Sequence, residues 1–248
     1  ETERREYISS CIDNRFEYTH VAPKPNAYQG PHRLTSKNYF SAGNARNTGI
    51  CYAKNGYILF IDDLSVLGEK SFKNIIDCAR ENVVIGFAYK KVFDLEVEDG
   101  KIIHKREVAS GIDSRWAQGN DELPVLIFGS QLYGYCGMPL EIILQVNGYD
   151  QIHDGMGGED YNLGIRISKI PFDIYYDRSI VLYEADNSEY HTTVFTRRDP
   201  EISKEHYEAL MAKYNCTQRY DVNGRCYLSH LLLDMTTRQK YKSEGNTF

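Results

Sequence analysis

Two pairs of neighbouring acids stand out in the sequence. Asp62 and Asp63 follow directly on an unbroken apolar run, Tyr57 to Ile61, and an apolar stretch resumes after them. Adjacent carboxylates repel one another unless positive charge sits with them. Carboxylate oxygens suit Mg²⁺ or Mn²⁺, with phosphate oxygens filling the remaining positions. The plainer reading is that Asp62 caps the next helix and Asp63 is solvated. The second pair, Glu159 and Asp160, follows Gly157 and Gly158. Paired glycines let backbone approach a ligand closely. Acids are ordinary in the first turn of a helix, where the dipole favours them. The dipole also keeps an acid ionised, as a general base requires.

The elements that must carry these acids follow from the hydrophobic pattern. Ala45 to Ala53 reads as a helix closed by Asn55-Gly56, and Tyr57 to Ile61 as a buried strand. Phe72, Ile75, Ile76 and Ala79 recur at helical spacing, predicting a helix over 69–81, and Val83 to Tyr89 reads as another buried strand. Strand–helix–strand alternation predicts a parallel sheet covered by helices. Leu95 to Val97 and Ile102-Ile103 flank Asp99-Gly100 as a hairpin. Residues 110–123 read as a mobile loop, Pro124 to Phe128 as a strand, and Pro139 as the first residue of a helix stopped by Asn147-Gly148. A further helix starts at Glu159 with Leu163, Ile167 and Ile170 as its buried stripe; residues 172–176 and 179–183 read as strands.

The chain has 248 residues, 42% hydrophobic, enough for one α/β domain with a full core. Its net charge of −6 argues against a broad nucleic-acid surface. No apolar run approaches the ~20 residues that span a bilayer. The six cysteines are scattered without a CxxC pair, which predicts a reduced, cytoplasmic protein without a zinc site. Asn215-Cys216-Thr217 is read as a chance sequon.

NARNTGICYAKNGYILFIDDLSVL (44–67) followed by PLEIILQVNGYDQIHDGMGGEDYNLGIRI (139–167) resembles glycosyltransferases of the GT-A fold, especially the family-2 group. The resemblance covers roughly residues 40 to 195, and the order and spacing of the two blocks are more specific than either alone. It implies a Rossmann-like, mostly parallel sheet flanked by helices, over 1–195, with a C-terminal helical extension, 196–248, packed on the same domain. It implies a nucleotide-sugar donor, a UDP-sugar by the family's commonest choice, a glycan or glycoconjugate acceptor, and Mn²⁺ or Mg²⁺ as cofactor. Asp62 would bind donor ribose and Asp63 the metal. Arg46 and Asn47 would face the donor, Asp160 would be the catalytic base, and Glu159 would help hold the acceptor. His191 lies where many members place a histidine on the metal. Without a second nucleophile, the resemblance favours inversion.

Trp116, Tyr133 and Tyr135 are the candidate acceptor wall, together with the backbone at Gly157 and Gly158. Core packing is the competing reading for the two tyrosines. The segment HTTVFTRRD (191–199) either closes over a diphosphate through Arg197 or Arg198, or is a solvated basic loop. The family pattern begins with an apolar strand, whereas this sequence begins ETERREYISSCIDN. The reading is therefore of an N-terminally incomplete domain whose nucleobase pocket is unassigned. Two rivals remain: a sugar nucleotidyltransferase, which would favour a glycine-rich phosphate loop near the start, and a catalytically inactive glycan-binding relative.

Overall fold

The computed structural model describes residues 2–13, 16–21, 28, 39–54, 56–155 and 157–186, together with 208 and 212. His191, Arg197, Arg198, the sequon and the expected C-terminal helices lie outside the described residues. Helix α1 (Thr2–Cys11) precedes α2 (Ala42–Tyr52), β1 (Tyr57–Phe60), β2 (Ser65–Leu67), α3 (Ser71–Glu81) and the long strands β3 (Val84–Glu98) and β4 (Lys101–Ile112). Then come β5 (Val125–Leu126), β6 (Cys136–Pro139), α4 (Leu140–Gln145), α5 (Glu159–Ile167) and β7 (Ile174–Ala185).

The strands form one seven-stranded mixed sheet in the order β1-β6-β3-β7-β2, with β4 on β3 and β5 on β7. The expectation of a mostly parallel sheet is corrected here: β3–β7 is parallel, and the other described pairings are antiparallel. The reason is β6. Strands β1 and β3 do run the same way, as a strand–helix–strand unit should, because both are antiparallel to β6. But β6 inserts between them, and its sequence CGMP carries no alternating pattern to announce it. Beyond Gly86, β4 takes over this side of β3, first meeting it at Lys90.

Alternation along β3 explains its continuous apolar run. Val84 and Ala88 face the core beneath α2, α4 and α5, with Ile50, Ile142, Leu163 and Ile167. Ile85 and Phe87 face the other way, against Ile75 and Cys78 of α3. A strand covered by helices on both faces has no polar side to show. Burying Ile75, 3% exposed, stabilises the α3 contact by about 1.5–3 kcal/mol.

Several boundaries moved. Helix α2 starts at Ala42, and Ala53, in extended conformation, ends it ahead of the expected Asn55-Gly56 cap. Asp99 and Gly100 both have positive φ, as the expected two-residue hairpin turn requires, but the hairpin is far longer than its tip. The strands expected at 172–176 and 179–183 are one strand, β7, with a register shift opposite Phe87 and Ala88. The strand expected over Pro124 to Phe128 is the two-residue β5. Pro139 ends β6 and occupies the N-cap position of α4.

The expected mobile loop 110–123 is instead anchored. Strand β4 runs to Ile112, and Arg115 is 1% exposed. The Arg115 guanidinium forms two hydrogen bonds to the Asp113 carboxylate, at 3.0 and 2.6 Å, and donates to the carbonyls of Gln131 and Phe87 at 2.8 Å each. A buried ion pair persists only when its remaining donors are satisfied, and here they are.

Candidate active site

One acid of each pair meets the same cationic side chain. Past Phe60 the pairing of β1 with β6 ends, and the chain turns into β2 with Ser65 N–H donating to the Asp62 carbonyl at 3.2 Å. Asp62 and Asp63 are left exposed on this turn. Helix α2 aims Arg46 at them. Its Nη2 donates to Asp62 Oδ1 at 2.9 Å, and its Nη1 to Glu159 Oε1, also at 2.9 Å. The Arg46 side chain is 12% exposed, Glu159 8% and Asp62 48%, so the clamp is dry on one side and wet on the other. The guanidinium also lies over the Tyr149 ring, 5.2 Å from its centroid.

Gly134 makes room for this arrangement. A Cβ there would come within 2.7 Å of Arg46 Nη2. Burial alone would lower the Arg46 pKa; Tyr149, Glu159 and Asp62 outweigh it and hold the pKa above its usual value. Burial first, and Asp160 second, push the Glu159 carboxyl above its ordinary range, against the pull of Arg46. Helix polarity alone predicted that both acids of this pair ionise readily; desolvation of Glu159 is the effect it left out.

Helix α5 begins where Gly157 (φ 81) and Gly158 (φ 97) put the chain in the left-handed region, which strains any side chain. Glu159 is buried and Asp160 half-buried, with Asp160 Oδ1 accepting from Tyr161 N–H at 2.7 Å. The loop before it is tied to α2. Ser41, at the N-cap of α2, makes no side-chain cap bond. Asp154 supplies the cap from across the fold, accepting from Gly43 N–H at 2.7 Å and Asn44 N–H at 3.0 Å. A Cβ at Gly43 would stand 2.9 Å from that carboxylate. Burial, and then the charge of Glu159, hold the Asp154 pKa well above the usual carboxylate range.

Asn47 departs from its expected donor-facing role. It is fully buried; its amide donates to the Tyr149 carbonyl at 2.8 Å, and its side-chain oxygen accepts from Tyr149 N–H at 2.8 Å. It locks α2 to the 149–154 segment. Arg166 does the same for α4 and α5, donating to the carbonyls of Val146 and Gly148.

The rings expected as an acceptor wall make contacts within the fold. Tyr135 is core, 4% exposed, with its hydroxyl held by Ser65 Oγ at 2.6 Å and Glu184 at 3.0 Å. Tyr133 lies under the Arg115 guanidinium, 4.1 Å from its ring centroid. Trp116 packs against the core and carries Lys90 and Arg178 over its ring, at 4.8 and 5.3 Å. A polar loop in the sequence concealed these cations, because they come from β3 and β7. Burial pushes the Cys136 thiol up to about 12, so it offers no thiolate nucleophile.

Among the described residues, no group of three or more His, Cys, Asp or Glu gathers to hold a metal. Asp63 presents an exposed carboxylate, a donor type that fits a hard divalent cation whose other ligands are phosphate oxygens. Sequence reasoning missed Asp154, Tyr149, Gly134 and Gly43. A helix start lacking its own working cap was the one signal for Asp154, and it is visible only once the backbone is known.

No protein-family profile matches the chain, and no curated protein matches it. Among solved structures, GalNAc-T7 with UDP, GalNAc and Mn²⁺ is similar at 11% identity and TM-score 0.45, over 84% of this chain and 42% of that one. S. aureus TarS 1–349 is similar at 12% identity and TM-score 0.42, over 85% of this chain and 55% of that one. The same TarS fragment in complex with UDP-GlcNAc gives 14% identity and TM-score 0.45, over 85% and 56%. The chain thus spans about half the length of these structures.

Proposed function

We propose that this chain is a metal-dependent glycosyltransferase that moves a sugar from a nucleotide-sugar donor to a hydroxyl of a glycan or glycoconjugate. The observation that carries this reading is the Arg46 clamp, which ties Asp62, one of the exposed acids after β1, to Glu159, the first acid of α5. Two acid pairs at one mouth divide the labour. Asp62, half-exposed, accepts hydrogen bonds from donor ribose. Asp63, with the donor diphosphate, would hold Mn²⁺ or Mg²⁺, which supplies Lewis-acid neutralisation of the leaving group. Asp160 takes the proton of the acceptor hydroxyl as its oxygen bonds to the anomeric carbon and the bond to the diphosphate breaks. That single displacement inverts the anomeric centre.

Glu159, held by Arg46, helps hold the acceptor. A UDP-sugar is the donor that the sequence resemblance favours. The test is incubation of the full chain with a panel of nucleotide-sugars and Mn²⁺, following release of free sugar. Hydrolysis that a chelator abolishes and Mn²⁺ restores supports the reading. Turnover that persists in chelator removes the metal from it.

A further inference from the structure

A cleft lies along α5. It offers about 430 Å³, open to solvent, between the 126–130 segment, α5 and the start of β7. That is the size range of small-ligand sites. Its lining is amphiphilic. Phe128, Tyr161 and Phe172 are its aromatic residues, and Ser168, Lys169 and Asp173 its hydroxyl, ammonium and carboxylate residues. Phe128 is 80% exposed and Leu126, on the same segment, 64% exposed. Aromatic faces beside hydrogen-bonding groups match a pyranose, which has apolar C–H faces and a polar equator. The opposite charges of Lys169 and Asp173 argue against a site built for an anion.

The position is specific. Tyr161 sits next to Asp160 on α5, and Ile165, one turn on, lines the cleft about 6 Å further along the axis. At its far end, Ile174 is level with Val84, and through β6 with Ile58 of β1. Ile58 lies near the start of β1, and Asp62 lies beyond its last residue, Phe60, so Ile174 sits toward the end of the sheet opposite the acids. The cleft therefore runs from the residue that follows the proposed base to the end of the sheet opposite Asp62 and Asp63.

We infer that this cleft is a second carbohydrate site, holding a sugar unit of the acceptor remote from the hydroxyl that reacts. The inference rests on the glycosyl-transfer reading for the identity of its ligand as acceptor, and on the cleft alone for carbohydrate binding. The probe is an array of defined di- to tetrasaccharides, read with the full-length chain and with Phe128→Ala. Because Phe128 is exposed, its truncation leaves the core intact, and circular dichroism of the variant checks this. The expected result is saccharide binding by the wild type that weakens about tenfold or more in Phe128→Ala, and that also weakens in Lys169→Ala. Equal binding by wild type and Phe128→Ala overturns the site, as does an array on which the wild type binds nothing. Donor hydrolysis by the wild type is measured separately. Hydrolysis without array binding keeps the transferase and removes the site; array binding without hydrolysis keeps a carbohydrate site and removes the transferase.

Discussion

Removing Arg46 should expose how the site is held. The Arg46→Ala variant leaves Glu159 buried, 8% exposed, without its cation, while Asp62, 48% exposed, regains water. Breaking a buried pair by deleting one partner costs about 3–5 kcal/mol. An exposed pair is worth about 0–1 kcal/mol. The site is intermediate, so the expected loss is about 3 kcal/mol, nearly all of it through Glu159. A double-mutant cycle in urea separates the two: coupling of Arg46 to Glu159→Gln should exceed coupling to Asp62→Asn by about 1 kcal/mol or more. The loss should also depend on pH. Glu159 already binds its proton more tightly folded than unfolded, and without Arg46 its pKa rises further. A group with a raised folded pKa costs stability as pH climbs from its unfolded value through its folded one. The deficit of Arg46→Ala should therefore be larger near pH 8 than near pH 5. Equal couplings to Glu159 and Asp62, or a deficit that grows in acid, would refute the buried-clamp argument.

Asp154→Ala should cost about 1–2 kcal/mol by urea denaturation, the worth of a helix cap, although the residue lies outside the helix it caps. Trp116→Ala should cost about 2 kcal/mol or more through lost core contact and leave acceptor KM near wild type; a raised KM at unchanged stability would restore Trp116 to the acceptor wall. Glu159→Gln should raise acceptor KM with a smaller loss in kcat than Asp160→Asn, read by steady-state kinetics on both substrates.

The acid pairs and the elements bearing them were legible because period and punctuation agreed there. Tyr57 to Ile61 is a strand-like run ending at Asp62, and the glycines before Glu159 mark a helix start. The α3 and α5 stripes were legible for the same reason: Ile75, Leu163 and Ile167 repeat at helical spacing and are buried. What stayed hidden depends on contacts between distant residues. Strand β6 has no pattern of its own and exists because β1 and β3 leave a slot between them. Asn47 was expected to face the donor, and nothing local shows that its amide bonds the backbone of Tyr149. The cations over the expected wall stayed hidden because Lys90, Arg178 and Arg115 reach those rings from other elements.

Sugar release from a nucleotide-sugar, followed by NMR with the wild type, Asp160→Asn and Asp63→Ala side by side, tests the central claim most directly. When an acceptor has been found, transfer is read in the same samples. The account predicts that Asp160→Asn loses about 10²–10⁴-fold in transfer rate, while its donor and metal affinity, by calorimetry, stay near wild type. Asp63→Ala should instead lose metal-dependent nucleotide binding itself. Near-normal transfer by Asp160→Asn, or metal-dependent binding undiminished in Asp63→Ala, would contradict the account.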